Sequence, residues 1–254
     1  MSRATPAWFT DFGQNPEAPL RLFAFAHAGG GANVFARWGK ALPGVHVLAA
    51  RLPGRESRIA ELPFAQMDAL MDALIEQVAP RLDRPFVLYG HSLGGLISYE
   101  LTHRLRERGL RQPERLLIGA YRSPDRKSPH PPLRDLTGSD LIAGMNRYDS
   151  MPRAIVDSPE LMELLEPMLR ADFSLVETYA YRARAPLTVP VVVYYGEQDA
   201  LITHDHIEAW RDKGNAGVRL HPMPAGHFFH LTHEADLHAL IAEELRGLVV
   251  GVEA

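Results

Sequence analysis

"FVLYGHSLGGLISYE", residues 86–100, decides how the rest of the chain is read. An apolar run of strand character, Phe86 to Tyr89, stops at Gly90. His91, Ser92 and Leu93 follow, then Gly94 and Gly95, and an apolar pattern of helical period begins. Gly90-x-Ser92-x-Gly94 therefore falls where a strand turns directly into a helix. Such a turn is tight enough that bulky neighbours would strike the backbone around the serine. Glycines on either side remove those collisions and leave the hydroxyl exposed. The helix N-terminus behind it puts partial positive charge beside any oxyanion that develops there. The context predicts that Ser92 is a nucleophile on an elbow rather than a helix cap in a glycine-rich turn.

A serine hydroxyl is a poor nucleophile without a base, and on this kind of elbow the partners follow in the order Ser, acid, His. The acid is expected just beyond a late strand, and "VPVVVYYGEQDALI" (189–202) puts Asp199 there, with Glu197 as its local rival. The base is expected in a loop after the last strand. "VRLHPMPAGHFFHLTHE" (218–234) offers His221, His227, His230 and His233. His221 lies inside a strand pattern, and His230 and His233 lie further into the next helix. His227 follows Ala225-Gly226 and precedes Phe228-Phe229, which could anchor the loop, so His227 is the expected base. The first long strand ends in "AFAHAGGG" (24–31), where one oxyanion donor is expected. The backbone N–H of Ala28 would join that of Leu93, each worth roughly 3 kcal/mol in the transition state.

Short apolar runs alternate with amphipathic ones along the chain. Strands are predicted at 21–26, 45–50, 86–90, 115–121, 189–196 and 218–223, with helices at 67–82, 96–109 and 235–249. The strands show little apolar/polar alternation, which suits strands buried on both faces of a mostly parallel sheet flanked by helices. The stretch from Arg122 to Thr188 breaks this rhythm: a Pro-rich loop, then two helical patterns carrying Met145, Met151, Met162 and Met168. An insertion this long between strands is a functional lid or a small subdomain.

Composition narrows the chemistry. There are 254 residues, 46% of them hydrophobic, and the formal charge is −4, which gives no reason to expect a nucleic-acid partner. Without cysteine there is no disulfide, thiol nucleophile or thiolate metal site. The first twenty residues hold no signal-like apolar core and no apolar run is long enough to span a membrane, so a cytoplasmic protein is expected. A metal site is not expected either, because the histidines of "HEADLH" (233–238) stand five apart rather than the four of H-E-x-x-H. A dinucleotide site, with Arg51 reading a 2′-phosphate, is the rival for the glycine run. It fails at Val34, where the third Gly or Ala is needed. A G-x-x-x-x-G-K-[ST] phosphate loop is absent as well.

"HAGGG" (27–31), "RLPGRE" (51–56), "GHSLGG" (90–95), "GEQDALI" (196–202) and "GHFF" (226–229), in this order, resemble the type II thioesterases, stand-alone editing hydrolases of nonribosomal peptide and polyketide synthases. The resemblance implies an α/β-hydrolase fold over residues 1–254 as one domain, with 122–188 as a helical lid insertion over the acyl site. It implies hydrolysis of thioesters on the phosphopantetheine arm of an acyl or peptidyl carrier protein, without cofactor or metal, by a chain expected to be a monomer. The family's nucleophile, acid and base match Ser92, Asp199 and His227, and its oxyanion positions match Ala28 and Leu93. Product-releasing relatives often carry the acid one strand earlier; here that strand end reads "GAYRSPD", with Asp125 several residues out. One departure is Ala225, where the family often has Gly.

Two further expectations concern the 122–188 segment. The four methionines are expected to line the acyl site, since flexible, polarisable side chains suit varied acyl shapes. Arg122, Arg126, Lys127 and Arg134 stand against Asp125 in "YRSPDRKSPHPPLR" (121–134) and are expected to help dock an acidic carrier protein. Two other functions remain open from the sequence: an esterase or thioesterase acting on free small-molecule or CoA esters, and a catalytically silent binding protein of hydrolase type.

Overall fold

The strand-like runs are apolar on both faces, so each needs cover above and below, and the sheet they form has it. The computed structural model describes residues 7–13, 16–146 and 158–250. Seven strands are joined in one sheet: β1 (Phe9–Asp11), β2 (Leu20–Phe25), β3 (Val45–Ala50), β4 (Phe86–His91), β5 (Arg115–Gly119), β6 (Val191–Gly196) and β7 (Val218–Met223). Their order is β1-β3-β2-β4-β5-β6-β7; β1 runs antiparallel to β3 and every other pair is parallel. All residues of β2, β3 and β4 are buried, while the edge strand β7 is half exposed.

Helices close both faces. On one side α2 (Met67–Val78) and α3 (Leu93–Glu107) present Leu70, Leu74, Leu96 and Leu101 to the sheet. On the other, α1 (Trp38–Ala41) and the last helix, Glu234–Val250, present Trp38, Leu237 and Ile241. Removing one such leucine to Ala would cost roughly 2–5 kcal/mol. Between β5 and β6 come α4 (Gly138–Asn146) and α5 (Pro159–Glu177), with a small core of their own.

The sheet differs from the sequence expectation in a few places, each with a local cause. β1 is only three residues long, too short for a periodic signal. β5 ends at Gly119 rather than at 121 because Ala120 takes φ +46°, which turns the chain out of the sheet. α3 begins at Leu93, three residues before the apolar pattern, and its end is marked by Gly109 at φ +63°. The carboxyl ends of β2, β4, β6 and β7 gather on one edge of the sheet, where ligands bind in open parallel sheets.

Candidate active site

The elbow is built by backbone against backbone. Ser92 sits at φ +53° and ψ −116°, a conformation that costs a non-glycine residue on the order of 1–3 kcal/mol. Its N–H donates to the Gly119 carbonyl at 2.7 Å, and its carbonyl accepts from Gly95 N–H at 2.8 Å. A Cβ on Gly90 would run into the Gly94 carbonyl, and one on Gly94 into the carbonyl of Phe25 at the end of β2. Both glycines are therefore required by the approach of strand to helix. Among the described residues, the other non-glycine positions at positive φ are Ala120, directly after the Gly119 that takes up Ser92 N–H, and Glu56, which accepts from Asn33 N–H beyond the glycine run.

Ser92, His227 and Asp199 form one hydrogen-bonded line. Asp199 leaves the end of β6 with its carboxylate buried, and Oδ1 accepts from Leu201 N–H at 2.8 Å. Its Oδ2 accepts from His227 Nδ1–H at 2.7 Å. Since a carboxylate only accepts, Nδ1 carries the ring proton and Nε2 accepts from the Ser92 hydroxyl at 3.0 Å. The β6 and β7 loops are knitted together by Gln198 N–H donating to the Ala225 carbonyl at 3.0 Å. Ala225 is buried there.

The rivals are engaged elsewhere. Glu197 points to solvent. Asp125 accepts from Lys213 Nζ and Ser123 Oγ, both at 2.7 Å. His221 stacks on Tyr194, His233 bonds Thr232 and His230 shares a 2.9 Å hydrogen bond with His27. Among the described residues no group of three or more His, Asp or Glu is arranged to hold a metal ion.

Sequence reasoning missed a histidine cluster behind His227. His91 Nε2–H donates to the His227 carbonyl at 2.8 Å, and its Nδ1 lies 3.2 Å from the Tyr89 hydroxyl. Its ring stacks on His230 at 3.6 Å. Burial drives the His27 pKa down to about 3, with nearby His227 and Arg55 adding to the effect. Burial likewise holds His91 and His230 well below the ordinary histidine range. Near neutral pH all three are uncharged, so they put no positive charge behind the ring of His227.

Ser92, His27, Ala28 and His227 open into a cavity of about 750 Å³. Among the described residues no hydrogen bond takes up the N–H of Ala28 or Leu93. The 121–134 loop and α5 form the facing wall, with Leu169, Phe173 and Val176 on it. Of the methionines, Met145 reaches this wall. Met162 and Met168 do not: they are buried with Leu133, Leu141 and Leu169 in the small core between α4 and α5, a core to which Met145 belongs as well. Met151 lies outside the described residues. Arg122, Arg126, Lys127 and Arg134 all border the cavity. Arg126 and Lys127 are exposed, and Arg126 lies 4.0 Å from the Asp125 carboxylate. Arg134 is instead paired with Asp135 at 3.4 Å and Glu177 at 3.7 Å, which takes its charge out of the basic rim.

Known proteins share this chain over almost its whole length. Linear gramicidin dehydrogenase LgrE of Brevibacillus parabrevis is 32% identical, over 96% of this chain and 94% of its own. Gramicidin S biosynthesis protein GrsT of Aneurinibacillus migulanus is 30% identical, over 94% of each. The solved structure of the type II thioesterase BorB, from the borrelidin biosynthetic cluster, superposes with a TM-score of 0.86 at 30% identity. It covers 96% of this chain and all of that one. The first of these carries a redox name, but the glycine run, among the described residues, offers a dinucleotide no prepared place. The glycine run leads into a four-residue 3-10 turn, Ala32–Phe35, and not into a long helix able to cradle a pyrophosphate. The Arg51 guanidinium is occupied by Glu56, Ser57 and Thr10. Matched by the thioesterase domain model over residues 20–244, and by these relatives at 30% identity or more, the chain belongs to the thioesterase family.

Proposed function

We propose that this thioesterase is a cytoplasmic, cofactor-free editing enzyme that clears acyl or peptidyl thioesters from the phosphopantetheine arm of carrier proteins. One observation carries the reading. The Ser92–His227–Asp199 line opens into a cavity of about 750 Å³, in a chain that matches GrsT and BorB over nearly their full lengths. Among the described residues no helix is long and apolar enough to cross a membrane.

Ser92 Oγ attacks the thioester carbonyl carbon while His227 Nε2 takes its proton. The carbonyl oxygen becomes an oxyanion facing the N–H groups of Ala28 and Leu93. Asp199 fixes the tautomer of His227 and faces the imidazolium. As the tetrahedral adduct collapses, the C–S bond breaks and the thiolate takes the proton from His227. An acyl ester on Ser92 remains. Water then attacks it, giving its proton to His227, and the acid departs as that proton returns to Ser92. The residue 122–188 segment acts as a lid over the acyl chain, with Met145 on its inner wall. Arg122, Arg126 and Lys127 form a basic rim that steers an acidic carrier.

The test is a panel of carrier-bound acyl thioesters against the same acyl groups as free N-acetylcysteamine thioesters. Carrier-bound substrates are expected to give the larger kcat/KM. Equal or greater rates with the free thioesters would assign the chain to small-molecule ester hydrolysis.

A further inference from the structure

Asp172 falls on the apolar stripe of α5, three residues after Leu169 and three before Leu175. A buried carboxylate is expensive unless it is paired and hydrogen-bonded. Asp172 is 1% exposed and has both. Its Oδ1 accepts from Arg55 Nη2 at 2.7 Å, and its Oδ2 accepts from the backbone N–H of Gly29 at 2.8 Å. Arg55, itself buried, uses its other terminal nitrogen to donate to the Gly30 carbonyl at 2.8 Å. Two consecutive residues of the loop after β2 are thus held by one ion pair, and one half of that pair rides on the lid helix.

The neighbouring residues complete the clamp. Gly29 lies at φ +82°, and a Cβ there would come within 2.8 Å of Leu169 on α5. Glu56, the next residue after Arg55, takes up Asn33 N–H at 3.0 Å on the far side of the glycine run, and a Cβ on Gly31 would strike its carboxylate. The glycines are there so that α5 and the 51–56 segment can close on the loop from both sides. Ala28, which precedes the clamped pair, faces the same cavity as Ser92.

We propose that Asp172 and Arg55 are positioning residues for the oxyanion hole, so that Ala28 N–H is correctly aimed only while the lid helix is seated. This rests on the Ser92 triad proposed above. Seating the lid then does two things at once: it covers the acyl chain and it completes the electrostatic site. The 51–56 segment and the lid helix, which have no part in the chemical steps, gain a common role.

The experiment compares Asp172→Ala, Asp172→Asn and the apolar pair Arg55→Met/Asp172→Leu with wild type, and uses Met162→Ala as a lid variant that does not touch the loop. Three quantities are read: kcat and KM on a free acyl thioester, the melting temperature, and the Ki of an acyl trifluoromethyl ketone. That ketone forms a hemiketal oxyanion with the serine and so reports the hole itself. Asp172→Ala is expected to lose kcat on the order of 10²-fold, the loss typical of one oxyanion donor, with KM little changed. The Ki should rise in proportion to the fall in kcat/KM. Asp172→Asn keeps an acceptor for Gly29 and should lose less. The apolar pair removes the buried charges together, so it should recover melting temperature while the ketone still binds weakly. Met162→Ala should lower the melting temperature and leave the ketone unaffected.

If the apolar pair melts like wild type and binds the ketone like wild type, the clamp is structural only and the proposal fails. A loss confined to KM overturns it as well. Ser92→Ala distinguishes the premise: if that variant still hydrolyses thioesters, the triad itself is wrong, whereas an inert Ser92→Ala beside unchanged ketone binding in the apolar pair refutes the clamp alone.

Discussion

At the elbow, position is set by backbone meeting backbone: Gly90 against Gly94, Gly94 against Phe25, Ser92 N–H on Gly119. The helix α5, the proposed lid, is held by side chains. Its apolar contacts run to a small core rich in methionine and, through Leu175, to the main core beside α3, and its ties to the loop after β2 are polar, Asp172 to Arg55 and Gly29. Backbone packing has no rotamers with which to absorb an added atom, whereas methionine side chains rearrange at little cost. The chemistry is expected to be intolerant of small changes at the sheet edge, and substrate choice to respond by degrees at the lid.

The sharpest contrast is between two aspartates. Asp199→Asn would present the wrong partner to His227 Nδ1, and a comparable change in a triad costs about 10⁴ in kcat. Asp125→Asn should leave turnover near wild type and lower the melting temperature instead, because buried Lys213 loses its carboxylate. Similar kcat losses for the two would erase the distinction between edge and lid loop.

Within the lid, Met145 and Met162 should separate. Met145→Gln puts a polar group on the acyl wall and is expected to raise KM for a long acyl thioester about tenfold relative to acetyl, the size of effect a pocket contact supplies. Met162→Gln should cost stability with no dependence on chain length. Chain-length discrimination that moves with Met162 would mean that the small core, and not the cavity wall, shapes the acyl site.

A smaller effect is expected at the rim. Arg126→Glu with Lys127→Glu should lower kcat/KM several-fold for a carrier-bound thioester at low salt and leave a free thioester unchanged. The deficit should shrink as salt brings the Debye length to about 8 Å. A loss shared by both substrates, or one indifferent to salt, would remove the rim from docking.

The smallest effect is on stability against pH, and its main source is the histidine cluster at the sheet edge, with His103 on α3 adding to it. Burial lowers the pKa values of His27, His91 and His230, so below the ordinary value of 6.5 the unfolded chain binds more protons than the folded one. The stability these neutral rings contribute is whole above that value and is lost as pH falls toward about 3, the folded value of His27. Calorimetry should show the melting temperature falling by several degrees from pH 7 to pH 5, before most carboxylates titrate. A flat profile over that interval would mean the cluster is hydrated or protonated in the folded state.

Much of the sheet edge is legible in the sequence because its signals are local. Both-face apolar runs announce the central strands, and Gly-x-Ser-x-Gly between strand and helix patterns announces the elbow. Asp199 and His227 follow from chain order and from which loop each occupies. The remaining elements answer to contacts that sequence spacing does not encode. Asp172 meets Arg55 across 117 residues, and its one local trace is a charge on an apolar stripe. Met145, Met162 and Met168 look alike in a helical pattern and share one small core, and only the packing of α4 against α5 leaves Met145 on the cavity wall as well. The early end of β5 depends on the single dihedral of Ala120. His91 reads as a filler position in the motif, yet its ring supports the His227 carbonyl from 136 residues away.

The most direct test of the central claim is to map the adduct of a fluorophosphonate probe by peptide mass spectrometry while following hydrolysis of a carrier-bound thioester. One adduct on Ser92 is predicted, with activity falling in step with occupancy and no labelling of Ser92→Ala. An adduct elsewhere, or full hydrolysis by protein fully labelled at Ser92, would contradict it.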